Sequence, residues 1–180
     1  VRLLLHICCA PCAVYPVGRL KGSGFDPHGF FYNPNVHPAE EHGRRLAALR
    51  QFAVVEGLPL TVAGGSDLDG FLARAAGRGA GRCEQCYRMR LETAADAARA
   101  GGFTLFTTTL LYSRRQKHDL IAGVARETAA DRGLELYYED FRTGWQEGIE
   151  RSKALGLYRQ RYCGCAYSEA ERVVRSERQP

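Results

Sequence analysis

The sequence predicts a single three-layer α/β domain with a mostly parallel five-stranded sheet. Apolar segments of strand length recur along the chain, and segments with the length and composition of helices separate them. This alternation is typical of a parallel sheet that is covered by helices on both faces. The chain has 180 residues, which suffices for one domain with a sizeable core, and it shows no internal repeat or low-complexity linker.

Five apolar segments account for the predicted strands. They comprise residues 3–7, 29–32, 58–62, 103–108 and 134–138. The first segment, Leu3-Leu4-Leu5-His6-Ile7, is almost continuously apolar, which is typical of a buried strand.

Helices are predicted over residues 12–20, 38–55, 68–73, 83–100, 116–132 and 145–155, with a short charged helix from Ser168. Pro11 and Pro38 stand where helices can begin, because the first helical position needs no amide hydrogen. Gly57 stands at the expected end of the second helix. Residues 77–81, which contain three glycines, are predicted to be the most flexible part of the middle of the chain.

The carboxyl ends of parallel strands lie along one edge of the sheet, where ligands bind. We therefore expect several unusual segments to converge at that edge. They are the turn at Cys8, the loops 33–37 and 107–115, the predicted N-cap Asp67, and Asp140.

Seven cysteines fall into three groups, Cys8/Cys9/Cys12, Cys83/Cys86 and Cys163/Cys165. An odd number cannot all pair internally, and small disulfide-stabilised secreted folds are shorter and space their cysteines more evenly. Metal or redox chemistry is therefore the better interpretation. The first group occupies a strand-to-helix turn, where amides with partial positive charge suit thiolates and their metal complexes.

The C-x-x-C motif of Cys83 and Cys86 is compatible with zinc, with an iron-sulfur cluster or with a redox dithiol. The neighbouring side chains of Cys8 and Cys9 diverge, so they suit two irons of a cubane better than one tetrahedral zinc. These four thiols together would satisfy a 4Fe-4S cluster.

Three thiols are left over from such a cluster: Cys12, Cys163 and Cys165. One hypothesis is that Cys163 and Cys165 form a reducible disulfide. Another is that they bind a second metal together with Cys12. The structural alternative is that these residues are buried as small hydrophobic side chains.

Polar side chains near the same sheet edge are further candidates. Asp140 follows the fifth predicted strand and is a candidate metal ligand or general acid. The structural alternative is an exposed aspartate that caps a helix. His37 and His118 are also candidates, but their positions have structural explanations. His37 precedes a helix-starting proline, and His118 falls in the first turn of a predicted helix.

The formal net charge is +5, and the basic residues concentrate beside the cysteines. Residues 74–90 and 142–161 each contain several arginines and few acidic residues. Such stretches are compatible with nucleic-acid binding and also with an ordinary solvated surface.

No apolar run approaches the roughly 18 residues of a membrane span. The apolar run before Cys8 is short and lacks the small residues of a lipoprotein signal. We therefore predict a cytoplasmic protein with no membrane partner.

Six segments carry motifs that are individually rare: residues 4–12 (LLHICCAPC), 32–38 (YNPNVHP), 82–88 (RCEQCYR), 107–113 (TTTLLYS), 140–142 (DFR) and 157–165 (LYRQRYCGC). In this order they resemble the cobalamin-independent epoxyqueuosine reductases of the QueH type, over almost the full length. The resemblance implies reduction of epoxyqueuosine to queuosine in tRNA by an iron-sulfur enzyme with an additional iron. The expected domain is Rossmann-like (HUP/PP-loop-like), with a tail of about residues 157–180 folding back on the site.

The residue roles expected from this resemblance and from the chemistry form four sets. Cys8, Cys9, Cys83 and Cys86 are expected to bind the cluster. All seven cysteines, Cys8, Cys9, Cys12, Cys83, Cys86, Cys163 and Cys165, are candidate metal ligands. The candidate catalytic residues are Cys12, Asp140, His118 and Tyr112. The candidate tRNA contacts are Arg82, Arg88, Arg114, Arg115, Arg142, Arg159 and Arg161. The expected partners are tRNA that carries epoxyqueuosine and an external electron donor.

Two other functions compete with this one. An ATP-dependent tRNA-modifying enzyme of the PP-loop type would share the sheet, but it would need a glycine- and serine-rich phosphate loop where this chain has Cys8 to Cys12. A zinc-stabilised RNA-binding module is the non-enzymatic alternative.

Overall fold

A computed structural model describes residues 1–177, with side chains described for residues 1–174. Its five strands are β1 (Arg2–His6), β2 (Asp26–Phe31), β3 (Leu60–Val62), β4 (Leu105–Thr108) and β5 (Glu135–Leu136). The strands form one sheet in the order β3-β2-β1-β4-β5, and every neighbouring pair is parallel. The predicted α/β class with a parallel five-stranded sheet is confirmed.

Seven α-helices cover the sheet: α1 (Ala10–Gly22), α2 (Ala39–Glu56), α3 (Leu68–Ala75), α4 (Arg82–Ala100), α5 (His118–Asp131), α6 (Trp145–Ala154) and α7 (Ala166–Glu177), within the part of the chain that the structure describes. Helix α1 packs against α2 and α6, whereas α4 packs against α3 and α5. The helices therefore form layers on both sides of the sheet.

The central strand β1 is the most deeply buried part of the sheet. Leu3, Leu5 and Ile7 have no exposed surface, and Leu4 is also buried. The continuous apolar run is required because helices cover both faces of a parallel sheet. The run ends at Cys8, so the first cysteine group follows the carboxyl end of the most deeply buried strand.

Helix α1 begins at Ala10, two residues before its predicted start, and Cys9 occupies the N-cap. Pro11 lies in the first turn, where its missing amide hydrogen costs no helical hydrogen bond. The prediction was therefore right about the role of Pro11 and wrong about the first residue.

Strand β5 has two residues instead of the predicted five. It is an edge strand that pairs only with β4, and the chain turns away at Asp140, whose carboxylate caps a 3₁₀ helix, Phe141–Gly144. In the glycine-rich stretch that was predicted to be most flexible, Gly79–Gly81 form another 3₁₀ helix. Helix α7 begins at Ala166 rather than Ser168.

Three further predictions concern a helix cap, membrane-spanning helices and the C-terminal tail. Asp67 is the N-cap of α3, as predicted, since its carboxylate accepts a hydrogen bond from the Gly70 amide at 2.9 Å. Among the described residues, no helix combines the length and the apolar character that crossing a bilayer requires. The predicted tail runs to residue 180, and its last residues, 178–180, lie outside the described residues.

Candidate metal centre

Three buried thiols meet at the turn between β1 and α1. The sulfur atoms of Cys8, Cys9 and Cys12 all lie within 4.8 Å of one another, and those of Cys8 and Cys9 are 3.7 Å apart. Each residue is at most 8% exposed. The sequence produces this cluster because a buried strand ends just before Cys8, Cys9 is the N-cap of α1 and Cys12 lies in its first turn, close to the positive end of the helix dipole.

The polar groups around this turn donate hydrogen bonds to sulfur. The Thr109 hydroxyl accepts a hydrogen bond from the Cys8 amide at 3.1 Å and donates to the Cys8 sulfur at 3.4 Å. The Gln160 amide nitrogen lies 2.8 Å from the Cys9 sulfur and 3.8 Å from the Cys12 sulfur. Donors stabilise a thiolate or a metal-bound sulfur more than a protonated thiol.

The three thiols cannot all ionise on their own. Hydrogen bonds from Cys12 and Cys9 hold the pKa of Cys8 well below its ordinary value. Burial raises the pKa of Cys9 to about 12, and hydrogen bonding to Cys8 raises the pKa of Cys12. A bound metal replaces thiol protons and removes this conflict, so the donor set fits a metal centre.

The other four cysteines line a second, smaller cavity. Cys83 and Cys86 come from the first turns of α4, and Cys163 and Cys165 come from the segment before α7. The sulfur atoms of Cys163 and Cys165 are 3.5 Å apart, and all seven thiols are free. Burial raises the pKa of Cys86 to about 11, whereas hydrogen bonding with Cys165 lowers the pKa of Cys163 to about 5.

The two groups of thiols adjoin each other. Cys8 and Cys12 line the larger cavity, and Arg90, Gln116 and Cys163 line both cavities. The structure thus places the seven cysteines as a group of three and a group of four with shared walls. The sequence had proposed another division, in which Cys8 and Cys9 join Cys83 and Cys86.

The larger cavity combines thiols, cations and aromatic rings. Its arginines are Arg45, Arg90, Arg115 and Arg159, and its aromatic residues are Tyr112, Trp145 and Tyr162. Aromatic faces bind bases by stacking, and arginines bind phosphates. The cavity can therefore take a planar, anionic ligand beside the thiols.

Tyr112 is the only one of the three non-cysteine catalytic candidates that lines this cavity. Its hydroxyl donates to the Trp145 carbonyl at 3.0 Å, and burial raises its pKa. The phenol therefore keeps its proton at neutral pH.

Asp140 and His118 lie outside the walls of the larger cavity. Asp140 forms an ion pair with Arg142 at 2.6 Å, and the Arg142 hydrogen bonds lower its pKa to about 2. His118 lies in the first turn of α5, where its Nε2 is 3.1 Å from the Tyr138 hydroxyl. An ionised Asp140 has no proton to donate, and His118 does not line the cavity in which Tyr112 lies.

The segment with Cys163 is attached to α2 by a buried ion pair. Arg45 bonds Glu41 at 2.8 Å and donates to the carbonyls of Cys163 and Tyr162 at 2.9 and 3.0 Å. Tyr158 donates to the same Glu41 carboxylate. Both members of the pair are at most 5% exposed in their side chains.

A sequence model of the family described as "Epoxyqueuosine reductase QueH" matches residues 3–171. The chain belongs to this family. A protein of the same description from Dehalococcoides mccartyi is 36% identical, over 95% of this chain and 94% of its own length. One from Thermotoga maritima is 34% identical, over 94% of this chain and 91% of its own length. One from Histophilus somni is 38% identical over 93% of this chain and 72% of its own length.

The QueH assignment confirms the family predicted from the motifs, and with it the class of enzyme, an oxidoreductase. Among solved structures, a protein described as a predicted subunit of tRNA methyltransferase from Methanocaldococcus jannaschii has a TM-score of 0.54 at 15% identity, over 87% of this chain and 89% of its own. At that identity the similarity concerns the fold alone.

The arginines that the sequence offered as tRNA contacts fall into two sets in this QueH fold. Arg82, Arg88 and Arg142 form ion pairs with carboxylates. Arg114, Arg115, Arg159 and Arg161 are exposed and form no ion pair with a carboxylate among the residues whose side chains are described. The second set is the better anion-binding surface.

Sequence reasoning missed several residues of the centre. Glu41 and Arg45 are four apart on one helix, a spacing that indicates an ion pair but not its burial or its partner segment. Thr109 and Gln160 are ordinary polar residues whose contact with the thiols depends on tertiary packing. Arg90 was counted with a basic surface, although it is buried.

Proposed function

We propose that this chain reduces epoxyqueuosine to queuosine at the wobble position of tRNA, the last step of queuosine biosynthesis. Membership of the QueH family supports the reaction. The observation that carries the proposal is the trio of buried thiols within 4.8 Å of one another, which opens into a cavity that also contains arginines and aromatic rings. Such a cavity provides for a redox metal and for a nucleotide at the same place.

The proposed cofactors are a 4Fe-4S cluster and an additional iron. Cys8, Cys9, Cys83 and Cys86 would hold the cluster, with Cys12 left for the additional iron. The hydrogen-bond donors around the first three thiols, and the inability of those thiols to ionise together, support metal binding at the turn. When bound, the cluster supplies single electrons, and an iron with an open position supplies a Lewis acid.

The reaction removes the epoxide oxygen and leaves an alkene. It consumes two electrons and two protons, and it releases one water molecule. We assign the delivery of a proton to Tyr112, because a phenol is protonated at neutral pH and Tyr112 alone of the three non-cysteine candidates lines the cavity together with Cys12. Its bond to the Trp145 carbonyl fixes the direction of the hydroxyl until a better acceptor enters the cavity.

The substrate base lies in an anticodon loop, so it is already single-stranded and can be splayed into a pocket. We propose that Arg114, Arg115, Arg159 and Arg161 bind the phosphates of the loop. Trp145 is half-buried at the cavity, whereas Tyr87 and Tyr112 are 3% and 2% exposed. Trp145 is therefore the better candidate for stacking on a base.

Anaerobic purification followed by iron, sulfide and zinc analysis tests the cofactor. We expect iron with acid-labile sulfide and an EPR signal after reduction. A colourless protein with stoichiometric zinc and no sulfide would instead support a zinc-stabilised RNA-binding module.

Turnover is tested with tRNA that contains epoxyqueuosine, a strong chemical reductant and nucleoside analysis by mass spectrometry. We expect conversion to queuosine that depends on the reductant. A folded, cluster-loaded protein that leaves the epoxide intact would contradict the proposed substrate.

A further inference from the structure

Arg90 is a buried cation that forms no ion pair with any carboxylate whose position the structure describes. It lies on α4 and is 3% exposed, and none of the ion pairs in the described part of the chain includes it. Its Nε is buried without a hydrogen-bond partner. A buried charge is costly unless an opposite charge compensates it, and arginine keeps its charge in proteins. Arg90 therefore requires an anion that the carboxylates of the described side chains do not provide.

The guanidinium is fixed between the two groups of thiols. Arg90 is the one arginine that lines both thiol cavities, and its Nη1 lies 4.0 Å from the Cys86 sulfur. Its Nη2 donates to the Asn33 side-chain oxygen at 2.6 Å. The Asn33 amide nitrogen donates in turn to the Ile7 carbonyl at 2.9 Å, immediately before Cys8.

The orientation of Asn33 follows from its two partners. A guanidinium can only donate and a carbonyl can only accept, so the amide oxygen must face Arg90 and the amide nitrogen must face Ile7. Arg90 is thus tied through one neutral side chain to the backbone of the thiol turn. A neutral link positions the cation without cancelling its charge.

Arg45 provides a contrast within the same cavity. It is equally buried, but its charge is compensated by Glu41 at 2.8 Å, and its other nitrogens are bonded to two carbonyls. The described structure thus contains one paired and one unpaired buried arginine beside the thiols. Only the unpaired charge of Arg90 is available to act on them at full strength.

We propose that Arg90 is the counter-charge of the thiolate-bound metal centre and raises its reduction potential. This inference rests on the proposed function, because it needs a redox centre bound by these thiols. Metal-thiolate centres carry negative charge, and each electron added makes them more negative. A fixed buried cation stabilises the reduced form more than the oxidised form, since Coulomb interactions are strong in a low-dielectric interior.

The test is an EPR-monitored redox titration of the cluster-loaded protein with Arg90→Gln and Arg90→Lys. At the wild-type midpoint, we expect Arg90→Gln to have an about tenfold smaller ratio of reduced to oxidised cluster, a shift of about 59 mV for a one-electron couple. Arg90→Lys keeps the charge and should stay close to wild type. Arg99→Gln, an exposed residue on the same helix with the same change in net charge, is the matched control and should not shift.

An unchanged midpoint in Arg90→Gln would overturn the inference, and so would an equal shift in Arg90→Lys, because a merely structural role would affect both variants. If Arg90→Gln does not accumulate as folded protein, Asn33→Asp gives the second test. It places a carboxylate against the guanidinium, so it should move the midpoint in the same negative direction, and an unchanged midpoint there would also refute the role of Arg90.

The two proposals fail in distinguishable ways. Wild-type protein that contains no sulfide overturns the proposed function and this inference together. Cluster-bearing wild-type protein that reduces epoxyqueuosine, with no shift in the Arg90→Gln midpoint, overturns the inference alone.

Discussion

The cysteines of the first turn and those of the final loop are held in opposite ways. Cys8, Cys9 and Cys12 are buried, the first two in the turn between the central strand and the first helix and the third in the first turn of that helix. Cys163 is exposed and Cys165 half-buried, and both belong to a segment without regular secondary structure. The first group is positioned by the backbone of the core, and the second by side chains such as Arg45.

The thiols of the first turn are therefore held more rigidly than the thiols of the final loop. Thiols fixed by the core can hold a metal in one geometry, because no local movement can separate them. Thiols fixed by a few hydrogen bonds can move or change partners at small cost. Substitutions at the two places should therefore have different consequences.

The largest effect is expected from a thiol of the first turn. Cys9→Ala should lose most of the bound iron, whereas Cys165→Ser should retain it, because only Cys9 is among the proposed cluster ligands. Iron and sulfide per chain after anaerobic purification measure both. Equal loss in the two variants would remove the distinction between the turn and the loop.

The ion pair that holds the loop gives the next largest effect. Arg45→Met leaves the Glu41 carboxylate buried without its counter-charge, and breaking a buried ion pair costs about 3–5 kcal/mol of unfolding free energy. The matched control is Arg132→Met, which removes a more exposed pair with Asp96 and should cost about 1 kcal/mol or less. Urea unfolding measures both, and similar losses would mean that Arg45 does not anchor the loop.

A substitution of Tyr112 tests the proposed proton donor in the larger cavity. Tyr112→Phe keeps the ring and removes the proton, so turnover of epoxyqueuosine tRNA should fall about 10²-fold or more while iron content stays at the wild-type level. Tyr137→Phe, at the end of β5, removes a hydroxyl that bonds Glu139 and should leave turnover unchanged. Full activity in Tyr112→Phe would exclude this proton donor.

The smallest effect is expected at Asp140, which lines neither of the two thiol cavities. Its folded pKa is lowered to about 2 by Arg142, so the pair stabilises the protein above the unfolded pKa of about 4. That contribution is lost as the pH falls from about 4 to about 2. Asp140→Asn should therefore be slightly less stable than wild type at pH 7, and the difference should shrink in thermal unfolding near pH 3.

The sequence was most informative where local pattern determines structure. The apolar run before Cys8 predicted the buried central strand, and Pro11 predicted a helix immediately after it. Parallel strands bring their carboxyl ends together, so the expectation that the thiol turn lies at the ligand-binding edge followed from the parallel direction of the predicted strands.

Contacts between distant segments were not predictable from such patterns. Arg45 reaches Cys163 across 118 positions, and Gln160 reaches Cys9 across 151. Arg90 shows the same limit in another form, because its charge suggested a surface residue and only packing shows that it is buried. Composition records a charge, whereas its role depends on which groups the fold places around it.

The central position of β1 also determines which backbone amides are protected from exchange with solvent. This strand is hydrogen-bonded on both sides, to β2 and to β4, so its amides can exchange with solvent only when the whole sheet separates. The loop at Cys163 can detach without any such separation. We therefore expect native-state hydrogen exchange to find the slowest amides directly beneath the turn with Cys8 and Cys9, and we expect these thiols to be exposed by movement of the loop many times for each unfolding of the sheet.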